Sequence, residues 1–132
     1  VLGLGLEDRL RSEVGLLSGG QRQSLSLLMA TMTKPSLLLL DEHTAALDPK
    51  TAQQVVALTE RIVREYGLTT LMVTHNLEQA LRLGDRTIMM HEGKIVLDLS
   101  GQVRQTMTVA DLLAEFTRVR GESLVDDRLL LA

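Results

Sequence analysis

The feature that most constrains this chain is the run Leu37-Leu38-Leu39-Leu40, closed at once by Asp41-Glu42. Four consecutive leucines show no alternation of apolar and polar residues, so the run reads as a strand buried on both faces. Such strands belong to parallel sheets covered by helices, and parallel neighbours need long crossover connections. The flanking sequence supplies them. Upstream, Ser18-Gly19-Gly20 opens a helix-compatible stretch over residues 21–33, ended by Lys34-Pro35, with Leu25, Leu28, Met29 and Met32 expected on its buried face. Downstream, Asp48-Pro49 pairs an N-cap carboxylate with proline at the first helical position. That helix is expected to run through Val55, Leu58, Ile62 and Val63 to Tyr66, where Gly67 stops it.

A second β-rich run over residues 69–74 ends at His75, and residues 76–83 read as a short helix stopped by Gly84. Two further strands, residues 86–91 and 94–99, flank Glu92-Gly93, a two-residue hairpin signal. Thr108, with Asp111 three residues on, caps a last helix ending near Arg120, and residues 7–13 read as a short helix. The expected order is helix, strand, helix, strand, helix, hairpin, helix. That order implies an α/β sheet with parallel central strands and an antiparallel edge.

Composition excludes several functions. The chain has 132 residues, 45% of them apolar, enough for one aliphatic domain. Its net charge of −3 is spread along the sequence, which speaks against a nucleic-acid groove or a polybasic membrane anchor. Tyr66 and Phe116 are the only aromatic residues, too few for a base-stacking platform. The absence of cysteine excludes disulfides and thiol chemistry. No apolar run approaches the roughly 20 residues of a membrane span. The opening Val1-Leu2-Gly3-Leu4-Gly5 lacks an initiator methionine and reads as the continuation of something longer. Gly3-Leu4-Gly5 begins like a dinucleotide fingerprint but lacks a third glycine and a preceding strand.

Three features carry chemistry. Ser18-Gly19-Gly20-Gln21 leaves unobstructed backbone N–H groups at a helix start, where the dipole favours an anion such as phosphate; the same residues also suit an ordinary capped turn. Asp41 and Glu42 close a strand where open α/β sheets place their ligands. Asp41 could hold Mg²⁺ there and Glu42 could orient or deprotonate an attacking water, or both could simply solvate the strand end. His75 ends the next strand, and helical crossovers bring it to the same rim, where it could donate to a phosphate oxygen or serve structurally. A rival reading joins Asp41 and His43 with His75 or His91 in a metal site, although the spacing matches no ligand pattern.

In this order, the motifs resemble the second half of an ATP-binding cassette (ABC) ATPase domain. Leu17-Ser18-Gly19-Gly20-Gln21 matches that family's signature motif, and Arg22-Gln23 continues it in the usual way. Leu37 to Glu42 is similar to the Walker B strand with its catalytic glutamate, Ala46-Leu47-Asp48 to the D-loop, and His75 to the switch histidine. Met90-His91-Glu92-Gly93-Lys94-Ile95 is similar to the segment that follows. The resemblance weakens after Gly101. It implies a partial P-loop NTPase (RecA-like) core with a mostly parallel sheet and a C-terminal antiparallel hairpin. Residues 1–35 would end the helical signature subdomain, 36–101 would form the Walker B to switch-histidine half of the core, and 102–132 a helical tail.

The resemblance further implies head-to-tail closure of two ABC ATPase subunits around ATP. Ser18, Gly19, Gly20 and Gln21 would contact the partner's nucleotide, Asp41 would hold Mg²⁺ through water and Glu42 would polarise the attacking water. His75 would touch the γ-phosphate and Asp48 would link the two sites. Permease subunits would hold such a protein at the inner face of the cell membrane, on the cytoplasmic side, as in a bacterial importer, with amino acids as one candidate cargo. Nucleic acid is not expected as a partner. No Gly-x-x-x-x-Gly-Lys-Ser/Thr loop occurs in the sequence, and the family's adenine-stacking aromatic and Q-loop glutamine are missing with it. His43 stands where proline is common. The 132 residues alone are therefore expected to be inactive towards ATP and to self-associate through exposed strand edges. Alternatives are a soluble ABC ATPase of DNA repair or translation, and a non-catalytic interaction module.

Overall fold

The structure, a computed structural model, describes residues 5–130, with side chains through residue 119. Gly3 and the opening dipeptides lie outside the described residues. Two short 3-10 turns, Glu7–Arg9 and Val14–Leu16, stand where one short helix was expected. They lead into α1 (Gly19–Thr31), β1 (Leu38–Asp41), α2 (Pro49–Tyr66) and β2 (Thr70–Val73), followed by α3 (Leu77–Arg82), β3 (Arg86–His91), β4 (Lys94–Ser100), α4 (Gly101–Thr106) and α5 (Val109–Leu130). The chain is thus mixed α/β, and it forms two compact units, residues 1–73 and 74–132.

In the first unit β1 and β2 pair in parallel, with Leu38 opposite Thr70 and Asp41 opposite Val73. The crossover between them is α2, as parallel pairing requires. Asp48 caps α2 by accepting a hydrogen bond from the Thr51 amide at 3.1 Å, and Gly67 ends it in the left-handed region at φ +60°. Between these stops, Val55, Val56, Leu58, Thr59 and Ile62 form one buried stripe. Leu58 and Ile62 join Leu27, Leu38, Leu40 and Leu68 in a single aliphatic core.

Two expectations about burial are corrected here. The leucine strand is not covered on both faces: Leu38 and Leu40 are buried, whereas Leu39 is 66% exposed, and Leu71 and Val73 on β2 are more than half exposed. Among the described residues the parallel sheet has two strands, α1 and α2 cover one side of it, and the period-2 pleat turns every other leucine outward. On α1 the buried residues are Gly20, Ser24, Leu27 and Thr31, while Met29 and Met32 are exposed and Leu25 and Leu28 only half-buried. Gly20 faces α2, where the lack of a Cβ allows the two helices to approach closely. Ser24 is fully buried, and its hydroxyl has no hydrogen-bond partner among the described residues.

In the second unit the Glu92-Gly93 turn joins β3 to β4 with both residues at positive φ, +48° and +75°, the geometry that suits a tight hairpin. The pairing slips once, between Met89 and Met90. Thr108 and Asp111 cap α5 reciprocally: the Thr108 amide donates to the Asp111 carboxylate at 2.8 Å, and the Asp111 amide donates to the Thr108 hydroxyl at 3.2 Å. Helix α4 carries no sequence signal strong enough to have been expected. It packs on β3 and β4, and α5 packs on α3. Among the described residues no helix is long and apolar enough to cross a membrane.

Candidate functional site

The signature segment folds as a closed capping box. The Ser18 hydroxyl accepts from the Gln21 amide at 3.3 Å, and the Gln21 side-chain oxygen accepts from the Ser18 amide at 3.0 Å. Arg22 reaches back to donate to the Leu17 carbonyl at 2.8 Å, fixing the approach to the turn. Gly19 and Gly20 fill the first turn of α1, where backbone N–H groups lie upstream of any intrahelical acceptor.

The second glycine has a further, purely steric reason. A Cβ on Gly20 would collide with Cγ2 of Thr51, and one on Gly19 would sit 3.3 Å from Leu47 Cδ2. The start of α1 therefore rests on the loop before α2 and on the first turn of α2. Sequence reasoning placed the signature and D-loop residues separately; the structure packs them together. Asp48 accepts hydrogen bonds from the Thr51 side chain and amide, which hold its carboxyl below the usual carboxylate range.

Asp41 and Glu42 sit at the carboxyl end of β1, both exposed. Asp41 shares the uncovered sheet face with Leu39 by strand alternation. Glu42 adopts φ +43°, a left-handed conformation unusual for a residue with a Cβ. Its amide donates to the Val73 carbonyl at 2.9 Å, and its carbonyl accepts from the Ala45 amide at 3.0 Å, so the strand end and the following turn hold this backbone in place.

His43, next in sequence, is engaged with α2. Its Nε2 lies 3.1 Å from the Thr59 hydroxyl, which itself donates to the Val55 carbonyl at 2.8 Å. Because the hydroxyl proton is already committed, Nε2–H is the donor to Thr59. Burial lowers the pKa of this histidine. The rival metal reading fails on this geometry: His43 is engaged with α2, and among the described residues no three His, Asp or Glu side chains cluster to hold a metal.

His75 belongs to the second unit, two residues beyond Val73, the strand partner of Asp41. It lies in a tight turn. The Asn76 amide donates to the Thr74 hydroxyl at 3.1 Å, that hydroxyl donates to the Gln79 side-chain oxygen at 3.2 Å, and the Asn76 side chain accepts from the Gln79 amide at 3.0 Å. A groove of about 350 Å³ in this unit is lined by Leu81, Arg82, Arg104, Met107 and Val109 among others and includes none of the sequence-predicted site residues.

Thr51, Thr59 and Arg104 were missed by sequence reasoning. Thr51 had a signal, since it stands at the third position of a helix capped by Asp48; Thr59 and Arg104 had none.

Sequence similarity identifies this chain with part of an ABC transporter ATP-binding domain, and a parallel strand pair joined by a helix, acids at the strand end and a glycine-opened, capped helix fit that likeness. The family model described as ABC transporter matches residues 2–45. Among curated relatives, a tyrosine transport ATP-binding protein of Clostridioides difficile is 55% identical over 115 residues, covering 87% of this chain and 46% of the relative. The aliphatic sulfonates import ATP-binding protein SsuB of Burkholderia ambifaria is 44% identical over 110 residues, covering 74% and 34%, and that of Yersinia pestis is 43% identical over 97 residues, covering 74% and 36%. The chain spans less than half the length of each of these relatives.

Proposed function

We propose that this chain supplies the signature-to-switch-histidine portion of an ATP-hydrolysing importer subunit. The observation that carries this reading is the joint at Gly20 and Thr51, where the signature turn and the Asp48-capped helix form one packed block with two helix N-termini side by side. The transport and import functions of the relatives agree with it.

On this reading residues 1–35 end the helical subdomain, 36–101 belong to the ATPase core and 102–132 form a tail. Ser18, Gly19, Gly20 and Gln21 face nucleotide held by a second ABC ATPase subunit in a head-to-tail dimer. The donor set suits the groups involved: first-turn amides of α1 for phosphate oxygens of ATP, and the hard carboxylate of Asp41 for Mg²⁺ through water. Bound Mg²⁺ supplies charge neutralisation on the phosphates. Glu42 orients and polarises the attacking water, His75 donates to the γ-phosphate, and Asp48 relates the two sites. The subunit sits on the cytoplasmic face of the membrane against permease subunits. An amino acid is the favoured cargo class, because a tyrosine transport relative is 55% identical over 87% of this chain.

The 132 residues by themselves are expected to be inactive, since no Gly-x-x-x-x-Gly-Lys-Ser/Thr loop is present to grip the phosphates. ATP turnover by the purified chain that Glu42→Gln abolishes would refute that expectation. In an assembled ATPase carrying this sequence, Glu42→Gln should retain ATP binding and lose hydrolysis; rapid hydrolysis by that variant removes Glu42 from its role.

A further inference from the structure

We propose that Arg104 is a positioning residue for the His75 segment, acting by holding the far end of α3, an inference that rests on the reading of His75 given above. Arg104 is the buried charged side chain among the described residues, 9% exposed. Burying a guanidinium is costly unless its donors are paired, and here the partners are not carboxylates. Nε donates to the Thr87 hydroxyl at 2.9 Å and Nη2 donates to the Leu83 carbonyl at 2.5 Å. The Thr87 hydroxyl in turn donates to the Ala80 carbonyl at 2.5 Å.

Ala80 lies in the last turn of α3 and Leu83 is its C-cap, so these are carbonyls that a helix leaves without intrahelical partners. A cation at that end also complements the helix dipole. Arg104 thus caps α3 from a distance, one acceptor directly and one through Thr87. Such a bifurcated contact needs the arginine fork; an ammonium offers a single point of charge.

The other end of α3 is tied to His75. Thr74 and Asn76, the residues on either side of it, both hydrogen-bond to Gln79 of α3, and to each other. A six-residue helix has no appreciable stability of its own, so the bonds at its two ends, together with the packing of α5 on it, set its place. Displacing the C-terminal end of α3 therefore displaces the turn that carries His75. Arg104 lies on α4, which packs on β3 and β4, so it references His75 to the hairpin.

The test uses the 132-residue chain labelled for NMR, with Arg104→Gln, Arg104→Lys and the milder Thr87→Val. Expected are amide exchange at least about tenfold faster across residues 77–83 and shifted His75 ring resonances, with hairpin amides away from Thr87 and the His43 ring unchanged. Arg104→Lys should fall between wild type and Arg104→Gln. Unaltered α3 exchange and His75 resonances in both Arg104→Gln and Thr87→Val would overturn the proposal. So would uniform acceleration through α3 and the hairpin, the mark of a merely structural residue.

In an assembled ATPase carrying this sequence, Arg104→Gln should lower kcat about tenfold and leave KM for ATP within about twofold. If His75→Ala leaves turnover intact, the reading of His75 falls and this proposal with it. If His75→Ala abolishes turnover while Arg104→Gln keeps the wild-type kcat, this proposal alone falls.

Discussion

Helices α1 and α2 share one compact unit, pack on each other and are each capped by a polar side chain, yet they bury different kinds of surface. Helix α2 buries branched aliphatic residues and threonine in a stripe that any periodicity argument would find. Helix α1 buries glycine, serine, one leucine and threonine, and leaves two methionines in solvent. The difference teaches that contact distance, rather than hydrophobicity, chose the buried face of α1. Close approach brings the starts of both helices together, and that juxtaposition is what the proposed phosphate-facing role needs.

Urea unfolding followed by Tyr66, the single tyrosine at the end of α2 in a chain without tryptophan, can test the contrast. The largest effect should come from Ile62→Ala in the aliphatic stripe, a loss of about 3 kcal/mol from the deleted methylenes and the cavity they leave. A loss under about 1 kcal/mol would mean that α2 is not the anchor of this unit.

Gly20→Ala should come next, costing about 2 kcal/mol although alanine is the better helix former by about 1 kcal/mol. Thr51→Ser, which removes the obstructing methyl, should restore most of that loss. If Gly20→Ala is stabilising, the close joint does not exist.

The two caps separate by pH. Ser18→Ala should cost about 1 kcal/mol at every pH, because a hydroxyl does not titrate. The Asp48 cap behaves otherwise: its carboxyl is depressed in the folded chain, so its contribution is complete above the ordinary value of 3.8 and is lost as pH falls through the lower folded value. Asp48→Ala should therefore destabilise at neutral pH and become nearly neutral in strong acid, and a pH-independent effect would break the distinction. The smallest change is expected for Met32→Ala, within about 0.5 kcal/mol, as its side chain is 78% exposed.

Where signals are local, sequence and structure agree. Ser18, Asp48, Thr108 with Asp111, and Glu92-Gly93 each determine their own turn through bonds spanning two or three residues, and each element boundary nearby came out within a few positions. Burial was legible only where apolar residues were crowded on one side, as on α2. Leu37-Leu38-Leu39-Leu40 misled because a homogeneous run carries no phase: nothing in it says which leucines face outward until the number of strands is known. On α1, Thr51 of the neighbouring helix α2 decided which face went inward, a contact 31 residues away. Ser18, Asp41, Glu42 and His75 could be singled out in sequence as candidates by their motifs, but the contacts that support their segments could not. His43 with Thr59, and Arg104 with Thr87, are long-range polar pairs whose members look ordinary in sequence.

The backbone of Glu42 carries a consequence for how this chain can evolve. At φ +43° a side chain is a burden, one that glycine would not bear and asparagine would bear more easily. Glu42→Gly should therefore leave the fold at least as stable while removing the carboxylate. Selection for stability alone would drift away from glutamate at this position, so on the proposed reading of Glu42 the chain accepts a conformational cost in exchange for a chemical group.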